Sequence, residues 1–143
     1  MRLRLFISLL FLIPLTGFAQ SEKHSIELRL DSCHAVESNQ TTAGMMACER
    51  VARDAWFEEI DKYYNKLVSI LDEDRKRQLS LSQSKWKEYQ EQELIFVVNH
   101  YYSRGGTMWR IVAISMQREI VKTRAQHLKS IYDNLLLEDY KIK

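Results

Sequence analysis

Residues 107 to 137 read TMWRIVAISMQREIVKTRAQHLKSIYDNLLL, and their spacing decides the fold class. Ile111, Ile114, Arg118, Val121, Ala125, Leu128, Tyr132 and Leu135 recur at alternating steps of three and four. That is the repeat of one helix face, not the step of two that marks a strand. Arg118 alone breaks the apolar stripe. Met108, Val112, Met116 and Ile120 form a second stripe, so the first half of this helix is apolar on two sides. A helix that touches two neighbours needs that.

Working upstream, Ser103-Arg104-Gly105-Gly106-Thr107 ends a second helix predicted from about Asp74 to Tyr101, with Leu79, Trp86, Tyr89, Leu94 and Val97 as inner positions. Asp72-Glu73-Asp74 before Arg75-Lys76-Arg77 reads as a turn whose acids cap that helix, where the dipole favours negative charge. Before it, Thr42 to Leu71 carries Met45, Cys48, Ala52, Ala55, Ile60, Tyr64, Leu67 and Leu71 at near-helical steps, and Thr41 or Thr42 can cap its start. The expectation is an all-α protein, a small antiparallel three-helix bundle with a disulfide-stapled N-terminal segment. Residues 20 to 40 hold the alternating Ile26-Glu27-Leu28-Arg29-Leu30, which fits a short strand or an extended lead-in. The tail from Glu138 to Lys143 is expected to fray.

The N-terminus has a different character. Arg2 and Arg4 precede an apolar run from Leu5 to Leu15, then Thr16-Gly17-Phe18-Ala19. This is the layout of a secretory signal peptide over residues 1 to 19, with cleavage after Ala19. The apolar run is too short for a membrane span, which needs about 20 residues. The formal charge of +2 over 143 residues then belongs to the leader, because without Arg2 and Arg4 the chain carries 19 basic and 19 acidic residues. That balance and export together exclude a basic nucleic-acid binder. Residues 20 to 143 contain no proline and only Gly44, Gly105 and Gly106, so long helices in one domain are expected.

Cys33 and Cys48, the two cysteines of this exported chain, read first as a disulfide. The competing reading joins His24 or His34 to both sulfurs around a metal, but no CxxC or HxxxH spacing supports it.

Asp31-x-Cys33, Thr41-Thr42-Ala43-Gly44-Met45 and Cys48 open a longer pattern. Ala55-Trp56-x-x-Glu59-Ile60-Asp61-x-x-Tyr64-x-x-Leu67 and Gln83-x-x-Trp86-x-x-Tyr89-x-x-x-Glu93 continue it, and Gly105-Gly106-Thr107 with Arg124-x-x-x-Leu128 close it. The chain resembles, over about residues 31 to 132, the N-terminal-domain family of the LprI-type lysozyme inhibitors. It departs at Phe57 and Asp61, where the family has Asp and Asn, and at Gln90, where an arginine is common. Leu94 and Met116 stand where many relatives carry a second cysteine pair, which implies an apolar contact in place of that crosslink. The resemblance implies a non-enzymatic protein that binds a lysozyme-type wall hydrolase, in the periplasm of a Gram-negative cell or secreted. With Cys33 well past the cleavage site, lipid anchoring at the new N-terminus is not indicated.

An enzyme needs a nucleophile with a base, paired carboxylates, a metal cluster or a phosphate cradle. Glu58-Glu59 and Glu91 with Glu93 read as solvated faces rather than a glycosidase acid and nucleophile, and Gly105-Gly106 lacks a phosphate-loop context. Neither a catalytic group nor a cofactor is expected. Candidate partner-binding residues are Arg104, Gly105, Gly106, Thr107 and Trp109 at one turn, with Tyr101-Tyr102 and Arg110 beside it, and Asp72 and Glu73 at the other. The plainer account gives the glycines a turn and Trp109 a place capping the core. The acidic block would attract a basic enzyme, or simply cap a helix. Trp56, Tyr64, Leu67, Trp86 and Tyr89 are expected as structural core, with Gln83 or Glu93 accepting from the Trp86 indole. The rival of another class is a structural or accessory envelope protein with no inhibitory role.

Overall fold

The computed structural model describes residues 23–141, so the predicted signal peptide lies outside the described residues. Four helices follow in order: α1 (Ser25–Ala35), α2 (Thr42–Ile70), α3 (Glu73–Tyr102) and α4 (Met108–Lys141), with a single 3₁₀ turn at Glu37–Asn39. The described residues contain no strand.

The three-helix expectation is therefore short by one. The segment read as a strand or extended lead-in is α1, and Cys33 sits on it. The alternation was deceptive because Leu28 is 50% exposed while Ile26 and Leu30, four residues apart, are buried at 3% and 6%. A strand would put all three on one face; a helix keeps Ile26 and Leu30 together and turns Leu28 away. His24 caps its start, accepting through Nδ1 from the Ile26 amide at 3.3 Å. The Cys33–Cys48 disulfide ties α1 to α2, and Asn39 Nδ2 donates to the Cys33 carbonyl at 3.0 Å to close the connecting turn. The helix expected to end near Leu137 continues to Lys141.

Thr41 caps α2 by accepting from the Gly44 amide at 3.0 Å, and Asp72 caps α3 by accepting from the Arg75 amide at 2.9 Å. The core lies between α1, α2 and α4: Ile26, Leu30, Cys48, Ala52, Trp56, Ile60, Tyr63 and Leu67 meet Val121, Ala125 and Leu128. Arg53 bonds Gln117 and Arg118 bonds Glu49, while Tyr63 faces Tyr132, so α2 and α4 run parallel along their shared seam. The antiparallel α3 packs mainly on α4 and stands off from α2, touching it where Phe57 meets Trp86 edge-on at 6.5 Å. Because α2 and α4 rise together, the Gly105–Gly106 turn lies at the disulfide end of the bundle and the Asp72 turn at the opposite end.

Candidate functional site

The tip of the α3–α4 hairpin starts from two glycines that no other residue would replace easily. Gly105 and Gly106 adopt φ of +71° and +80°, the left-handed region where an L side chain is strained. The reversal brings Trp109 onto Tyr101, ring centroids 5.7 Å apart and 20° from parallel. Arg104 lies over the Trp109 ring at 4.8 Å. Its Nη2 is 3.2 Å from His100 Nε2, and since a guanidinium can only donate, that imidazole nitrogen accepts. Phe96 stacks on His100 at 5.7 Å, and Arg110 sits 5.8 Å from the Tyr102 ring. Met108 is 74% exposed and Phe96 61%.

Trp109 is partly buried, and its place is against Tyr101 across the turn, not in the core cluster of α1, α2 and α4. No aspartate or glutamate occurs between residues 94 and 118. A chain of formal net charge +2 thus carries a cationic, aromatic end.

Asp72 and Glu73 do not join this surface. The 30 residues of α3 separate the two turns, roughly 45 Å at the helical rise. Each acid of the block is also met locally: Asp72 by Arg75 at 3.3 Å, Glu73 by Lys76 at 2.8 Å, and Asp74 by Arg77. The acidic turn is a self-neutralised helix start.

A buried polar cluster explains the interruption of the α4 stripe. Arg118 donates through Nε to Glu49 at 2.7 Å and through Nη1 to Glu27 at 3.1 Å. Trp56 Nε1 donates to the same Glu27 carboxylate at 3.0 Å, and Lys122 pairs with it at 3.1 Å. Burial by itself would raise the Glu27 carboxyl, but the Lys122 and Trp56 hydrogen bonds and the charges of Arg118 and Lys122 outweigh it and hold it below its ordinary value. Burial likewise opposes charge on Arg118, yet its bond to Glu49 and the surrounding carboxylates favour the charged form more strongly. Nothing but the break at Arg118 signalled this cluster in the sequence.

The core residues fall unevenly. Trp56 and Leu67 are sealed, at 2% and 0% exposure, while Tyr64 and Trp86 are half-buried against the core. Tyr89 is 54% exposed and is not core: three residues after Trp86, it has turned to the outer flank of α3. Gln83 is buried, but its side-chain oxygen accepts from Arg124 at 2.9 and 3.0 Å, and the guanidinium lies 5.8 Å from the Trp86 ring.

Trp86 separates two grooves. One of about 570 Å³ between α2 and α3 is lined by Phe57, Ile60 and Leu94. The other, of about 410 Å³ between α3 and α4, is lined by Tyr89, Met116 and Ile120. Leu94 lines the first groove, and Met116, 42% exposed, lines the second.

A third cleft, of about 340 Å³ between α1, α2 and α4, brings together Glu27 and Glu59. A glycosidase acid must hold a proton at working pH. Glu27 is held ionised by its donors, and both Glu59 oxygens accept from Lys62 at 2.8 and 2.9 Å. Among the described residues, no group of three His, Cys, Asp or Glu side chains is placed to hold a metal ion, and no helix is long and apolar enough to cross a membrane.

Comparison with known proteins adds the following. The sequence model of a family described as "Lysozyme inhibitor LprI" matches residues 33–128. Among curated proteins, none matches the chain. A crystal structure of an uncharacterised protein from Burkholderia thailandensis superposes with a TM-score of 0.75 at 29% sequence identity, covering 80% of this chain. The match takes in 56% of that protein, so this chain spans little more than half its length.

Proposed function

The chain belongs to the lysozyme inhibitor LprI family, and from that premise we propose that it is an exported, non-enzymatic protein that binds and blocks a lysozyme-type cell-wall hydrolase with the tip of its α3–α4 hairpin. One observation carries the choice of surface: the Arg104–Trp109–Tyr101 stack held at the positive-φ Gly105–Gly106 turn. Tyrosine, tryptophan and arginine dominate interface hot spots. Here they are ordered before any partner arrives, which lowers the cost of binding. The surface projects at one end of the bundle, a shape suited to a cleft rather than a flat face.

Export follows from the leader sequence, and the Cys33–Cys48 disulfide fits an oxidising compartment such as the periplasm. A catalytic role is disfavoured because Glu27 and Glu59, which share a cleft, are both engaged by cationic donors.

The test is inhibition of several lysozyme classes by the protein beginning at Gln20. At micromolar excess the wild type slows at least one class, and Trp109→Ala weakens that effect about tenfold or more with its helical content unchanged. Failure to slow any class overturns the proposal. A pull-down from envelope extract yielding a stable complex without a hydrolase would instead favour the accessory-protein role.

A further inference from the structure

We propose that Arg104 and Arg110 are the recognition charges of the tip and engage the two catalytic carboxylates of the hydrolase. The inference rests on the proposed function and gives it a chemistry.

Its starting point is the local absence of acid at the tip. Along the body of the bundle most cations pair with carboxylates, among them Arg53, Arg75, Arg77, Arg118, Lys62, Lys76, Lys85, Lys122 and Lys129, although Arg29, Arg50, Lys66, Lys87 and Arg124 do not. Among the described residues, Arg104 and Arg110 have no acidic partner, and residues 94 to 118 supply none. Both guanidinium groups rest on aromatic rings instead, Arg104 on Trp109 and Arg110 on Tyr102. Stacking fixes the plane of a guanidinium, and apart from the Arg104 Nη2 bond to His100 the N–H donors of the two arginines remain for capture of a carboxylate.

Between the two arginines the chain is thin. Gly105 and Gly106 present no side chains, and a Cβ built on either would meet nothing within 4 Å. An inhibitor with two spaced cations on a narrow turn fits an active site with two spaced anions. Glycoside hydrolases of the lysozyme kind set two carboxyl groups about 5–5.5 Å apart when retaining and further when inverting, across a cleft that admits a glycan strand. A guanidinium beside the acid member would also favour its ionised form and remove the proton the reaction needs.

The sign of the interaction follows. An acidic inhibitor would be drawn to the basic exterior that lysozymes often have, and the acidic turn at Asp72 would then be the contact. That turn is already matched by Arg75, Lys76 and Arg77. The cationic tip is instead complementary to the one acidic feature every such enzyme must keep, and the net-neutral body limits long-range repulsion.

The experiment uses the exported protein, a lysozyme it inhibits, and that lysozyme with both catalytic carboxylates converted to amides. Arg104→Gln combined with Arg110→Gln is expected to raise the inhibition constant about 30-fold or more, with an unchanged melting temperature. Arg104→Lys should recover only part of this, keeping the charge but not the stacked fork. The amidated lysozyme should bind the wild type at least tenfold more weakly, and show no further loss with the double variant. Wild-type inhibition unaltered by Arg104→Gln/Arg110→Gln, or binding indifferent to the amidation, overturns this inference and leaves the proposed function standing. A wild type that inhibits no lysozyme class overturns the proposed function, and this inference with it.

Discussion

The Arg118 guanidinium on α4 donates to the Glu49 carboxylate on α2 at 2.7 Å, with both residues more than nine-tenths buried. Glu27 of α1 closes on the same arginine, so one cation in the core fastens three helices. Removing one partner from such a group leaves the others charged and dry. Arg118→Met should therefore destabilise the bundle by about 3–5 kcal/mol, despite restoring an unbroken apolar stripe. Adding Glu49→Gln should return part of the loss. Urea denaturation of the two single variants and the double measures the coupling, and additive losses would contradict it.

Glu27 gives the fold an acid-sensitive hinge point. Its carboxyl is held below the ordinary value of 4.5 in the folded protein, because the donors from Lys122 and Trp56 and the Arg118 charge outweigh desolvation. The unfolded chain then takes up the proton first as pH falls. The stability from Glu27 is complete above about 4.5 and drains away as pH drops through the lower folded value. Thermal melts between pH 6 and 3 should show a steeper acid loss for wild type than for Glu27→Gln, and parallel curves would exclude this role.

Gly44 inverts a familiar rule. Glycine inside a helix costs about 1 kcal/mol relative to alanine, so Gly44→Ala would ordinarily stabilise α2. Here a Cβ would lie 2.6 Å from both Cα and the carbonyl oxygen of Asn39, backbone atoms of the 3₁₀ turn that cannot swing aside. The variant should lose about 1–3 kcal/mol, read as a lowered melting temperature. A rise would show that the turn is free to move.

The Cys33–Cys48 bridge spans 15 residues, and a loop of that size contributes about 3 kcal/mol in the chain-entropy treatment. Replacing both cysteines with serine should cost about that much and release α1 first, because Ile26 and Leu30 are its main apolar anchors. Hydrogen exchange should show amides 25–35 losing protection ahead of the rest. Two free thiols in the denatured, unreduced exported protein would remove the bridge from the account.

The three long helices were legible because each carries a sustained apolar stripe, and their ends were marked by Thr41, Asp72 and the Gly105–Gly106 turn. Helix α1 was not. With eleven residues it has only Ile26, Leu30 and Cys33 on its inner face, and the exposed Leu28 between them imitates a strand. Tyr89 was misplaced for a related reason: α3 touches only α4 closely, so a position one turn from Trp86 can leave the interface. Arg118 was visible as an irregularity, but its meaning depended on Glu49 and Glu27, 69 and 91 residues away. The tip residues were legible one by one. What the sequence could not show was that Asp72 and Glu73 stand at the far end, already neutralised, while the arginines at the tip have no acid to meet.

The most direct test of the account asks whether the tip fills the cleft of the enzyme. A sensitive lysozyme is titrated with an unhydrolysed cell-wall oligosaccharide in the presence and absence of this protein. The account predicts mutually exclusive binding, the apparent affinity for the oligosaccharide falling in proportion to inhibitor added, and this competition disappearing with Trp109→Ala and Arg104→Gln. A ternary complex, in which oligosaccharide and protein bind the enzyme together without mutual effect, would contradict it.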